Sequence, residues 1–273
     1  MSKYFDTIPH SDLLRSVARR IVDRHVLRLL KLWLRAPVDE RDSNGKGRMS
    51  GGKSSRYGTP QGGVVSPLLC VVYMNRFLKH WRLTGRGEAL HAHVVSYADD
   101  FVILSRGCAQ EALAWTKAVM TKLGLTLNEA KTSVRNARVE SFDLLGYTLG
   151  PRRFPQGGRW YLGASPSKKS LRRIKTRISE LLRPGNKGAW LEVRTRLNRL
   201  LGGWSAYFSY GALASAYEAV DRHVYDRVTS FLRKRHKAHG RGMNRFPREY
   251  VYEELGVLCL RRERRRLPPC ALR

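Results

Sequence analysis

The chain has 273 residues and carries 52 Lys+Arg against 22 Asp+Glu, a formal net charge of 52 − 22 = +30. A hydrophobic fraction of 42% with 10% aromatics supplies a core and argues against wholesale disorder, while the charge asks for a polyanion, nucleic acid ahead of an anionic membrane surface. Residues 64–74, the best apolar stretch, are broken by Ser66 and Pro67 and fall short of the ~18 a spanning helix needs. No apolar region follows Lys3, so neither membrane insertion nor a secretory leader is expected, and the expected location is cytoplasmic.

In chain order, Ser11 is expected to cap a helix with Leu14, Val17 and Ile21 on one face. Asp23 should cap a second, carrying Val26, Leu29, Leu30 and Trp33 at 3- and 4-residue spacing. Residues 39–58 read as loop, with a hairpin signal at Asn44-Gly45. Gly58-Thr59-Pro60-Gln61-Gly62-Gly63 leads into a buried helix over 64–81. Residues 93–104, rich in Val and Ile and interrupted by Tyr97-Ala98-Asp99-Asp100, read as strand, turn, strand. A helix over 109–123 ends on Gly124, and 141–149 reads as a further strand.

The turn-like stretch Gly150-Pro151-Arg152-Arg153, followed by Pro155-Gln156-Gly157-Gly158, suggests a boundary. Charge shifts there too: 1–150 hold 23 basic and 13 acidic residues (+10), and 151–273 hold 29 and 9 (+20). The second half reads as helical. A helix over 167–182 places Leu171, Ile174, Ile178 and Leu181 on one face and crowds Lys168, Lys169, Arg172, Arg173, Lys175 and Arg177 onto the rest. Helices over 189–208 and 212–235 follow, then a tail with five arginines in positions 261–266. Cys70, Cys108, Cys259 and Cys270 are spaced as neither a zinc motif nor a disulfide framework, and His91-x-His93 fits one strand face better than a metal site.

Two adjacent carboxylates at a hairpin tip repel one another, and a bound divalent cation removes that repulsion. Hard oxygen donors suit Mg²⁺, and paired ions can drive an in-line phosphoryl transfer. By spacing alone, Asp99-Asp100 fits an ordinary turn equally well; apolar strands on both sides, the preceding tyrosine and the basic chain favour a nucleotidyl-transfer palm.

At these residues the sequence resembles the reverse transcriptases encoded by group II introns. Tyr97-Ala98-Asp99-Asp100 matches their signature. Gly58-Thr59-Pro60-Gln61-Gly62-Gly63-Val64-Val65-Ser66-Pro67-Leu68-Leu69 is similar to the fingers-to-palm block. Leu123-Gly124-Leu125-Thr126-Leu127-Asn128-Glu129-Ala130-Lys131-Thr132 and Phe142-Asp143-Leu144-Leu145-Gly146-Tyr147 resemble later palm blocks. Gly202-Gly203-Trp204-Ser205-Ala206-Tyr207-Phe208 resembles the maturase core. Five blocks in the family's order extend the resemblance to about residue 250.

The resemblance implies that Asp99 and Asp100 are catalytic metal ligands for Mg²⁺. It places Phe5 under the sugar of an incoming deoxynucleoside triphosphate, Gln61 and Gly62 along its pocket, and Lys131 near its triphosphate. Read without it, Phe5 fits a core aromatic, Gln61 a turn polar group and Lys131 a solvated helix end. The implied partners are group II intron RNA, an RNA template and a DNA primer, with the cationic face of Lys168, Lys169, Arg172, Arg173, Lys175 and Arg177 on RNA phosphates. Trp204 and Tyr207 are expected in the core. The family's third metal-binding aspartate would fall before Met1, together with most of the fingers. The expectation is thus an N-terminally truncated reverse transcriptase/maturase impaired in DNA synthesis, without the family's nuclease module. The contrasting readings are a non-enzymatic RNA-binding splicing cofactor and a decaying remnant. The expected fold is α+β: a partial fingers/palm over 1–150 with a short antiparallel sheet, then an all-α thumb and maturase region over 151–273 with its basic tail.

Overall fold

A computed structural model describes residues 4–41, 47–52, 54–60, 62–98, 100–154, 157–236 and 246–262. The chain divides into two compact units, Met1–Val134 and Arg135–Arg273. The architecture is α+β with small antiparallel sheets, as expected.

The first unit opens with a one-turn helix α1 (Tyr4–Thr7) and α2 (His10–Ala18). Phe5 therefore sits on a helical turn, and the extended Pro9 separates α1 from α2. Pro9, not Ser11, precedes α2, and no side chain caps it. This early start buries His10, Leu13 and Val17 and leaves Leu14 partly exposed. Helix α3 (Arg24–Leu34) begins as expected, with the Asp23 carboxylate accepting the amides of His25 at 2.7 Å and Val26 at 3.3 Å. Only Leu30 and Leu34 are buried, however; Val26, Leu29 and Trp33 are exposed because the apolar face is wider than the core it meets.

Strands β1 (Pro37–Arg41) and β2 (Gly47–Gly51) pair antiparallel with Pro37 opposite Gly51, flanking Asn44-Gly45, which lies outside the described residues. Helix α4 (Ser66–Leu83) sends Leu69, Tyr73 and Phe77 into the core at four-residue spacing. It is half-buried, contrary to the sequence reading, since Leu68 and Val71 are exposed and Val64 precedes it in the open. After α5 (Arg86–Ala89) come β3 (Ala92–Tyr97) and β4 (Asp100–Ser105), with Tyr97 opposite Asp100. Their inner face packs through Phe101, whose ring lies 5.5 Å from that of Phe77. Trp115 of α6 (Ala109–Lys122) stands 6.1 Å from Phe77 and 5.4 Å from Trp81. The end of α6 is as expected: Gly124 adopts φ +69°, and the amides of Gly124 and Leu125 bond back to Thr121 and Met120, both at 2.9 Å.

The second unit begins with a sheet of order β5-β6-β7: β5 (Phe142–Leu144), β6 (Tyr147–Arg153) and β7 (Trp160–Pro166). The stretch expected as one strand over 141–149 is a hairpin whose two-residue turn, Leu145-Gly146, has φ of +49° and +81°. Gly150-Pro151, expected as a turn, runs through β6. Strand β5 pairs only as far as Leu149, so Pro151 lies past its end, where a missing amide donor costs no ladder bond. The compact division accordingly falls at Val134, ahead of this sheet, and the helical region starts at Lys168 rather than at residue 151.

Helices α7 (Lys168–Leu181), α8 (Trp190–Tyr207) and α9 (Ala214–Arg235) share a core that includes Ile174, Ile178, Leu197, Leu201, Val220 and Val224. Ser167 caps α7, accepting the Ser170 amide at 3.2 Å. Residues 246–262 fold back on α8 and α9. Asn198 donates to the Gly256 carbonyl and accepts the Leu258 amide, both at 2.8 Å. The buried Asp221 carboxylate accepts the amides of Leu260 at 2.9 Å and Arg261 at 3.0 Å.

Candidate functional site

Residues 56–60 lie along α1 and the start of α2 through backbone bonds: the Thr59 amide to the Phe5 carbonyl at 2.6 Å, the Gly58 amide to that of Ile8 at 2.9 Å, and the His10 amide to that of Arg56 at 2.9 Å. His10 Nε2–H donates to the Gly58 carbonyl at 2.6 Å. Gly58, at φ +88°, leaves little room for a Cβ, which would stand 3.1 Å from the Asp6 carbonyl oxygen. Ser66 at the start of α4 donates to the Pro60 carbonyl at 2.6 Å, and Tyr4 donates to the Cys70 carbonyl at 2.6 Å. The structure thus brings Phe5 against the glycine-rich loop. Phe5 is only partly buried, and Gly62 stands in the turn at φ +84°. Gln61 lies outside the described residues. The paired carbonyls, which the sequence could not signal, are the missed part of this site.

In the β3–β4 hairpin Tyr97 pairs with Asp100, and Ala98 follows Tyr97 beyond the end of the pairing. Ala98 has φ +52°, the left-handed conformation that two-residue hairpin turns require. Asp100 is exposed at the start of β4, on the outward face with Tyr97 and Val95; Asp99 lies outside the described residues. Lys131 is exposed at the end of a 3₁₀ turn, Glu129–Lys131. Among the described residues no hydrogen bond or ion pair joins Asp100, Phe5 and Lys131, and no cluster of three His, Cys, Asp or Glu could hold a metal. The chemistry of the donor set nonetheless suits a divalent cation. An exposed carboxylate is a hard oxygen ligand that leaves coordination positions to water and phosphate oxygens.

In the second unit the six cations of α7 separate into two stripes. Lys168, Arg172 and Lys175 border an open groove with Ser179 and His223, whereas Lys169, Arg173 and Arg177 project elsewhere. None of the six pairs with a carboxylate among the described residues. His223 Nε2 lies 3.0 Å from both Ser179 Oγ and the Lys175 carbonyl. Burial holds its imidazole below the usual value, assisted by Lys175 and Arg227 and opposed by the Lys175 carbonyl and Asp226. Trp204 is partly buried against this unit's core, as expected, but Tyr207 is 56% exposed; Phe208 takes the core position because the helix ends there.

Residues 1–149 match the profile of the reverse transcriptase (RNA-dependent DNA polymerase) family, over half of the sequence, and the chain belongs to that family. Divalent cations serve this family generally. Residues 171–250 match the group II intron maturase-specific domain, which places the chain among the intron-encoded reverse transcriptase/maturases. Similar proteins include Protein YkfC of Escherichia coli (strain K12), 27% identical over 203 residues, 62% of this chain and 50% of that one. Two Saccharomyces cerevisiae proteins are named for COX1/OXI3 introns. That of intron 2 is 35% identical over 80 residues, 29% of this chain and 8% of its own; that of intron 1 is 23% identical over 305 residues, 87% and 35%. The chain spans half or less of the length of these relatives. No described helix is long and apolar enough to cross a membrane.

Proposed function

We propose that this chain acts in RNA-templated DNA synthesis and in binding its intron RNA, with 1–150 serving as fingers and palm and 151–273 as thumb and maturase region. The observation that carries the reading is the two-residue hairpin that sets Asp100 at the head of β4 in a chain of the reverse transcriptase family. Asp99 and Asp100 would hold Mg²⁺, which when bound activates the primer hydroxyl and neutralises the leaving oxygen. Phe5 would bear on the sugar of a deoxynucleoside triphosphate and Gly62, with Gln61, on its edge; the backbone bonds that seat Gly58 and Thr59 on residues 5–8 support this reading. Lys131 would approach the triphosphate as a cation. The test is deoxynucleotide incorporation on an RNA template with a DNA primer and Mg²⁺. Incorporation by the wild type and its loss in Asp100→Asn are expected; equal incorporation by both would refute the assignment.

The α7 stripes favour a second reading, in which the chain binds intron RNA as a splicing cofactor without synthesis. Lys168, Lys169, Arg172, Arg173, Lys175 and Arg177 carry six charges, none in an ion pair with a described carboxylate, the pattern that phosphate contacts use. Splicing of the adjacent intron by Asp100→Asn, and its loss when Arg172 and Arg173 are both changed to Glu, would select this reading.

A further inference from the structure

The β6–β7 hairpin end serves neither the fold's core nor the site above. From Gly150 to Gly163 the sequence holds Arg152, Arg153 and Arg159 and no Asp or Glu. The last strand pair sets Arg153 opposite Trp160, and beyond it the Phe154 amide bonds the Arg159 carbonyl at 3.0 Å. Side chains alternate along a strand, so Trp160, Leu162 and Arg153 share one face. Trp160 is 59% and Leu162 55% exposed, although the same face is buried two residues further on, at Ala164. The Arg153 guanidinium stands over the Trp160 ring, 4.5 Å from its centroid, and Trp160 stays largely exposed. On the opposite face the Phe154 and Tyr161 rings lie 4.3 Å apart, tilted by 31°.

A flat aromatic surface backed by a cation, with further cations beside it and no acid, complements a base flanked by phosphates. A duplex buries its bases and offers only phosphates; an unpaired strand offers both. We infer that the β6–β7 hairpin end is a docking platform for single-stranded RNA, one unpaired base stacking on Trp160 while Arg153 and Arg159 meet the adjacent phosphates. This rests on the RNA-handling function proposed above.

Binding of the full-length chain to a short single-stranded RNA, to a duplex of the same length and to the single strand carrying abasic sites tests the inference. Trp160→Ala should weaken single-strand binding about 5- to 100-fold and leave duplex binding unchanged, while Trp160→Phe keeps most of the affinity. The abasic strand should bind the wild type as weakly as the intact strand binds Trp160→Ala. Arg153→Gln should lower the salt slope by about 1. Full single-strand affinity in Trp160→Ala, or equal losses on strand and duplex, would overturn the inference. So would a loss confined to phosphatidylserine vesicles, which would make the platform a membrane contact. If the wild type binds no RNA, the proposed function falls and takes this platform with it; if it binds RNA and Trp160→Ala is silent, the platform alone falls.

Discussion

Tyr147 and Tyr207 each close the other's turn. The Tyr147 hydroxyl donates to the Tyr207 carbonyl at the end of α8, and the Tyr207 hydroxyl donates to the Leu145 carbonyl in the β5–β6 turn, both at 2.8 Å. Burial pushes the Tyr147 hydroxyl above the ordinary tyrosine range, which favours its protonated, donating form. Removing either hydroxyl leaves a backbone carbonyl that water can still reach, so Tyr147→Phe and Tyr207→Phe should each cost about 0.5–1 kcal/mol. Urea denaturation measures this. A Tyr207→Phe protein of unchanged stability would show that the turn holds itself.

The hairpin tip stores strain at Ala98. An L-residue in the left-handed region costs about 1–2 kcal/mol, and Gly returns about 0.5–1 of that as lost chain entropy. The Ala98 side chain is exposed, so Ala98→Gly removes no packing. It should raise stability by up to about 1 kcal/mol, readable as a higher melting temperature. A lower one would mean that the methyl group has a partner in the turn.

Gly58 is the opposite case. Its φ is +88°, and a methyl group on its Cα would stand 3.1–3.3 Å from backbone atoms of Phe5 and Asp6, so Gly58→Ala must either strain or push the loop off α1. A loss of roughly 2 kcal/mol or more is expected. Hydrogen exchange at the Thr59 amide locates it: protection should collapse there first.

His223 reports on the α7 groove. Its folded pKa is lowered, so between the unfolded value of 6.5 and that lower value the unfolded chain binds more protons. Its contribution to stability is complete above pH 6.5 and is lost as pH falls through the folded value. His223→Gln should flatten this acid limb. Phosphates lodged beside Arg172 and Lys175 add negative charge near the ring, so saturating RNA should raise the His223 midpoint in an NMR titration. An unmoved midpoint would take RNA out of the groove.

Asp221 behaves in the reverse sense. Desolvation raises its folded pKa above 3.8, against the opposing bonds from the Leu260 and Arg261 amides and Cys259. Its charged form thus costs stability as pH rises through the interval between the unfolded and folded values. Asp221→Ala would leave two amides unpaired, about 1–3 kcal/mol each if they stay buried. Loss of exchange protection at Leu260 and Arg261, with the α8 core unaffected, is the expected result.

Much of this was legible in the residues. The Asp23 cap, the Gly124 stop, the strand pair around Tyr97-Ala98-Asp99-Asp100 and the face of α7 follow from local rules, and local contacts satisfy them. What escaped depends on distant partners. Leu145 adopts a conformation foreign to leucine because Tyr207 and Ser170 hold the turn's carbonyls from other elements, so 141–149 reads as one strand. The exposed face of α3 shows that apolar spacing marks a helix without saying how much of it is covered. At the site, the loop's residue types were readable, but its seat on α1 runs through carbonyls that every residue carries.

That seat bears on the nucleotide site proposed above. The Phe5 carbonyl accepts the Thr59 amide at 2.6 Å, so a side-chain change at position 5 leaves this anchor in place, whereas a Cβ at Gly58 crowds it. Under the proposed assignment, replacing the Phe5 ring would alter how the sugar is received, and replacing Gly58 would weaken every nucleotide alike.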